Sequence, residues 1–197
     1  FGRGSESIFG IQFTTNGGVN TTVAFNIINE SGSVNSNNGI YIATANSNNT
    51  IIYSNKINTS TSSSHGIRVG GGVQRNWYVN ISSNVINIGA GSGHGILLDA
   101  LQKGNVTDNI ITTSASSSNA IHLEYGTNDT IIANNTLKTT GATAYAVQID
   151  APQDATNNSI YNNVFNTTAK HVNIAGTTVN NFSTTLVAGT NIIGGSN

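Results

Sequence analysis

An asparagine recurs in the middle of what otherwise reads as β-strand. In "NNTIIYSNKIN", residues 48–58, the run Thr50, Ile51, Ile52, Tyr53 leads to Asn55 and then to Ile57. Asparagine is a poor strand residue because its amide competes for backbone hydrogen bonds, so its position needs a reason. The same arrangement returns at Val23-Asn26-Ile28, Ile81-Asn84-Ile86, Val106-Asn109-Ile111, Ile132-Asn135-Leu137 and Ile160-Asn163-Phe165, with a weaker copy at Ala188-Asn191-Ile193. The asparagines advance by 29, 29, 25, 26, 28 and 28 residues. A period of this size marks a solenoid or an array.

A second marker keeps the same period. A small residue precedes an aliphatic one at Gly10-Ile11, Gly39-Ile40, Gly66-Ile67, Gly95-Ile96, Ala120-Ile121 and Ala146-Val147. From Asn55, Asn84, Asn109 and Asn135 to the next such aliphatic residue the distance is 12 residues each time. The rest of each repeat varies in length, so one half of the repeat is rigid and the other carries the loops. Period-2 alternation such as Ile67-x-Val69 and Ile96-x-Leu98, with no helical pattern, predicts an all-β chain. The expected fold is a right-handed parallel β-helix, the hand following the rule for parallel crossovers. It should have about seven coils, spaced roughly 4.8 Å apart as neighbouring strands are. Each asparagine then sits at a bend and bonds its counterparts above and below, as in stacked amide ladders. Asparagine also tolerates the left-handed backbone that a bend can demand.

Residues 1–197 read as a single domain, the mature form or a segment of a longer exported protein. Charged residues make up 8% and the net charge is -1, which excludes the basic footprint of a nucleic-acid binder. No apolar run reaches the roughly 18 residues of a membrane span. Asn, Ser and Thr supply roughly two fifths of the chain, yet the regular apolar spacing argues for folding and against disorder. There is no Cys and no Met, hence no disulfide framework and no thiolate metal site. Asn-x-Ser/Thr sequons at Asn20, Asn29, Asn58, Asn80, Asn105, Asn128, Asn157 and Asn166 are candidate glycosylation sites in an exported chain. Asn29, Asn58 and Asn166 should share one outward column, and Asn80 and Asn105 another.

From about Ile8 to Ile193 the repeat resembles that of pectate-lyase-like and NosD-like parallel β-helix proteins, including many archaeal surface proteins, and "AGTNIIGG" at 188–195 is similar to a stretch that closes such domains. The resemblance implies architecture. It implies activity poorly, because this fold hosts lyases, hydrolases, epimerases, tailspikes, adhesins and surface layers.

Stacking the repeats places Asp99, Glu124 and Asp150 in one outward acidic column, with His122 and Arg68 in the column beside it. Adjacent carboxylates repel by roughly 1 kcal/mol even in water, and strand formation does not require them. If the chain is an enzyme, these five residues would be its machinery, since sugar chemistry uses paired carboxylates. The strip also admits calcium, which prefers oxygen ligands; no other cofactor is expected. "GSGHG" at 91–95 resembles the Gly-His-Gly of polygalacturonases, but their Asn-Thr-Asp and Asp-Asp elements are missing. His65 and His94 read as turn residues. A NosD-like copper role is not expected, because the four histidines are dispersed along the chain and Met and Cys are missing. Trp77, Tyr78 and Arg75, in "GGGVQRNWY" at 70–78, are candidate carbohydrate contacts.

The expected function is that of a non-catalytic, extracellular or cell-surface β-helix: a sheath, filament, fibre or adhesin component. The rival is a polysaccharide-acting enzyme or tailspike-like depolymerase, followed by a carbohydrate-binding module. Neither terminal segment contains a cap, so head-to-tail self-assembly is expected.

Overall fold

Short β-branched runs, each ended by a small or polar residue, cannot extend beyond a few residues, and the described residues form 23 strands of two to five residues. In this computed structural model the described residues are 9–14, 19–31, 38–43, 47–70, 76–89, 91–150, 155–168, 170–174, 181–183 and 192–194. Every strand pairing among them is parallel. Three sheets run the length of the stack. The first has eight strands, from Phe9–Phe13 through Asn38–Ile42, Ile67–Val69, Ile96–Asp99, Ile121–Glu124, Tyr145–Ile149 and Lys170–Ile174 to Ile192–Gly194. The second has seven, from Thr22–Ala24 to Asn181–Ser183, and the third has six, from Ile27–Glu30 to Val164–Thr167. The chain is therefore a parallel β-helix. Among the described residues six coils carry strands of all three sheets, slightly fewer than the seven expected.

The core consists of aliphatic columns in register. Ile40, Ile67, Ile96, Ile121 and Val147 stack from the first sheet, and Ile52, Ile81, Val106, Ile132 and Ile160 from the second. Ile28, Ile57, Ile86, Ile111 and Leu137 stack from the third. All are buried, most of them completely; each is worth about 1.5–3 kcal/mol of transfer free energy. The glycine markers have a steric cause. A Cβ placed on Gly66 would lie 2.4 Å from Ile86 Cγ2 and 2.6 Å from the Gly95 carbonyl.

The asparagine ladder runs along the bend between the second and third sheets. Asn26, Asn55, Asn84, Asn109 and Asn135 each donate Nδ2 to the Oδ1 of the next rung at 2.9–3.0 Å, ending on Asn163. The backbone N–H of the same residue also donates to that Oδ1. The left-handed backbone belongs to the residue before the asparagine. Phe25, Ser54, Ser83, Asp108, Asn134 and Asn162 all have φ between 53° and 58°. The ladder asparagines hold the coils together, while their neighbours make the turn. Asn191 lies outside the described residues.

Candidate functional site

A second ladder, with two histidines in it, runs along the leading edge of the first sheet. Asn38 Oδ1 accepts the backbone N–H of His65, and His65 Nδ1 accepts that of His94. His94 Nδ1 accepts that of Asn119, and Asn119 Oδ1 that of Tyr145. Imidazole Nδ1 thus takes the place of the asparagine oxygen. A backbone N–H can only donate, so Nδ1 of His65 and His94 must be bare and the ring proton must sit on Nε2. Burial pushes His65 down to about 3, helped by Arg68 and His122. Burial likewise pushes His94 down to about 2, helped by its histidine neighbours. His65 and His94 are bend residues, as their glycine-flanked positions suggest, and they are also the acceptors that join three coils.

The fixed proton on His94 orders the groups beyond it. His94 Nε2 lies 3.0 Å from His122 Nδ1, so it donates there and leaves the His122 proton on Nε2. That nitrogen is 2.9 Å from Asp150 Oδ2. Gln148 Nε2 donates to Asp150 Oδ1 at 2.6 Å, and Asn119 Nδ2 donates to Gln148 Oε1. Asn119 therefore starts both arms of a closed ring of hydrogen bonds that converges on Asp150. The His122 hydrogen bond holds the Asp150 carboxyl below its ordinary range, against the opposing effect of burial. Glu124 Oε1 stands 3.5 Å from His122 Nδ1. One donor atom each from His122, Glu124 and Asp150 lie within 4.8 Å of one another. The register gives these residues their places: Arg68, Leu97, His122 and Gln148 form one column, and Asp99 pairs with Glu124.

Not all the sequence-based expectations survive. Asp99 is only 5% exposed, so it is no part of an open acidic strip. Gly70 packs against it: its φ is +109°, and an added Cβ would lie 2.1 Å from the Asp99 carbonyl oxygen. Leu97 separates Arg68 from His122, and the Arg68 guanidinium instead lies 5.1 Å from the centroid of the Tyr41 ring. The histidines are dispersed only along the chain. Ring centroids are 5.3 Å apart for His65 and His94 and 4.5 Å for His94 and His122. The fourth, His171, bonds Thr167 and packs near Phe165 instead. Asn119 and Gln148 were not singled out from sequence. The available clue was that Asn38, His65, His94 and Asn119 occupy one repeat position, which equates histidine with asparagine.

Trp77 and Tyr78 lie on a different bend, before the second sheet, with Lys103 Nζ 6.0 Å and 5.9 Å from their ring centroids. Arg75 lies outside the described residues. Asn29 and Asn58 share the expected outward column, which the register carries through Asn87, Thr112 and Lys138 to Asn166; Asn80 and Asn105 pair in another. Asn20, Asn29, Asn105, Asn157 and Asn166 are exposed, while Asn58, Asn80 and Asn128 are half-buried.

The cluster offers one imidazole and two carboxylates, a nitrogen–oxygen set suited to a divalent transition metal. His65 and His94 have their Nδ1 lone pairs committed to backbone N–H groups; His122 would become a ligand by giving up either the hydrogen bond its Nδ1 accepts from His94 or the proton its Nε2 shares with Asp150. Donors bound at about 2.0–2.2 Å can lie at most a little over 4 Å apart, so His122, Glu124 and Asp150 would need to close by a few tenths of an ångström. Comparison with curated proteins and with solved structures returns no match. The family model described as "Periplasmic copper-binding protein (NosD)" matches residues 7–197, nearly the whole repeat array, and the chain belongs to that family.

Proposed function

We propose that this chain is an exported, non-catalytic β-helix scaffold that binds a divalent transition metal, copper(II), at His122, Glu124 and Asp150. The observation that carries the reading is the convergence of those three donors within 4.8 Å on the outer face of the first sheet. Three facts support it. Asp150 is kept ionised, as a ligand must be. The donors are nitrogen and oxygen, which suit copper(II), while copper(I) favours the sulfur ligands this chain lacks. The family's description names copper and an exported compartment. Calcium fits less well, because it takes six to eight oxygen ligands.

Copper(II) titration followed by electron paramagnetic resonance tests the reading. One ion should bind per chain, with hyperfine coupling to a single imidazole, and His122→Ala should abolish the signal. Undiminished binding in that variant would overturn the assignment.

A further inference from the structure

We propose that the bend carrying Trp77, Tyr78 and Lys103 is a binding platform for an acidic polysaccharide. It is separate from the histidine cluster and stands whether or not that cluster binds metal. Each coil crosses this bend with a pair of residues, the second in the left-handed region: Asn20, Asn49, Tyr78, Lys103, Asp129 and Asn157 have φ of 52–59°. Asparagine and aspartate suit that conformation, and Tyr78 is the one aromatic among these six residues. Tyr78 is 52% exposed, so packing inside the chain does not explain its presence.

The turn at Tyr78 has a clear effect. Consecutive residues of a straight strand point to opposite faces. Here the Trp77 and Tyr78 rings come to 6.3 Å between centroids, tilted by 41°. The next coil supplies Lys103, whose ammonium lies about equally far from both rings. Among the described residues Lys103 forms no ion pair. The carboxylate of the following rung, Asp129, already accepts a hydrogen bond from Asn157. Two ring faces and an ammonium at their edge, with no carboxylate partner among the described residues, fit a sugar ring that bears a carboxylate: the apolar face of the ring lies on the aromatics and the anion meets the ammonium. The flanking rungs present amides, with Asn49 bonded to Asn20 on one side and Asn128 holding Thr156 on the other. A linear polymer along the rod axis therefore meets an equivalent pair of side chains every 4.7–4.9 Å or so.

The chain contains one tryptophan, so its fluorescence reports on the platform directly. Titration of the full chain with oligogalacturonate should shift the emission saturably, and a neutral dextran oligomer of equal length should bind at least about tenfold more weakly. Lys103→Gln should weaken the acidic oligomer by about tenfold, and so should Tyr78→Asn, which places a bend-compatible residue there and so preserves the fold. His122→Ala should leave the titration unchanged. No saturable shift, equal affinity for the neutral oligomer, or full affinity in Lys103→Gln or Tyr78→Asn would each overturn the proposal.

Discussion

Replacing Asn109 with alanine removes the middle of the amide ladder, and the cost can be worked out bond by bond. The Asn109 side chain is fully buried. Its Oδ1 accepts from both the backbone N–H and Nδ2 of Asn84, each at 3.0 Å. Its Nδ2 donates to the Ile81 carbonyl, the Thr107 carbonyl and Asn135 Oδ1. Some partners keep a second bond. Asn84 Nδ2 keeps the Ile52 carbonyl, Asn135 Oδ1 keeps the Asn109 N–H, and the Thr107 carbonyl keeps the Ser83 N–H. The Asn84 backbone N–H loses its Oδ1 acceptor, a cost of about 1–3 kcal/mol, and the remaining bonds add about 0.5–1.5 each. Taking the lower end for each of the four remaining bonds, Asn109→Ala should lose at least about 3 kcal/mol. At the ladder's first rung the Asn26 side chain donates, among the described residues, only to Ala24 and Asn55, and Asn26→Ala should lose less, about 1–3 kcal/mol. Asn109→Asp should be worse than alanine, since its carboxylate would face the Ile81 carbonyl and Asn135 Oδ1. Urea denaturation at constant m-value measures all three. Equal losses at Asn26 and Asn109, or an aspartate variant as stable as wild type, would refute the reasoning.

Three further outcomes are expected. Because His65 and His94 titrate near 3 and 2 when folded and near 6.5 when unfolded, the unfolded chain binds more protons below pH 6.5; stability should then fall with acidification by up to about 1.4 kcal/mol per pH unit per ring, with no contribution above pH 6.5. His65→Asn keeps the acceptor and should reduce the pH dependence of the denaturation midpoint between pH 7 and 4.5 by about half, His94 supplying the rest; an unchanged slope would count against the ladder role of that ring. Gly70→Ala should destabilise by about 3 kcal/mol or more, since the backbone is left-handed and the Asp99 carbonyl fills the space; a thermal melt within a degree of wild type would reject this. In a host with an N-glycosylating export pathway, peptide mass mapping should find sugars on exposed Asn29 and Asn166 in preference to half-buried Asn58, whose amide donates to Asn29, and bare Asn29 and Asn166 would contradict that ranking.

The period of the asparagines made the fold readable from sequence, because one buried polar residue per turn is tolerable only if its counterparts satisfy it. The column of Glu124 and Asp150 followed from the same arithmetic. The site around it did not. His94 and His122 are 28 residues apart in sequence, and only the placement of rungs shows that their rings touch. That Asp99 is buried depends on how neighbouring coils pack over it, which residue type alone does not reveal. The left-handed positions were hard to read for a related reason: Phe25 and Ser54 carry no sign of that conformation, which the bend imposes on whatever residue precedes the asparagine.

The ladders pass unbroken through coils of unequal length: the same pair of bonds spans 29 residues between Asn55 and Asn84 and 25 between Asn84 and Asn109. What a coil must supply to its neighbours is thus confined to its bends and core columns, while the segments between are free in length. A recombination event that duplicated or removed one whole coil would leave every ladder joint compatible with the next, so such a gene can change its copy number of coils without passing through an unfolded intermediate. The ring of Asn119, His94, His122, Gln148 and Asp150 sets the limit on that freedom. It draws on three consecutive coils, and a coil inserted between the strands of His122 and Gln148 would keep the rod intact while parting His122 and Glu124 from Asp150.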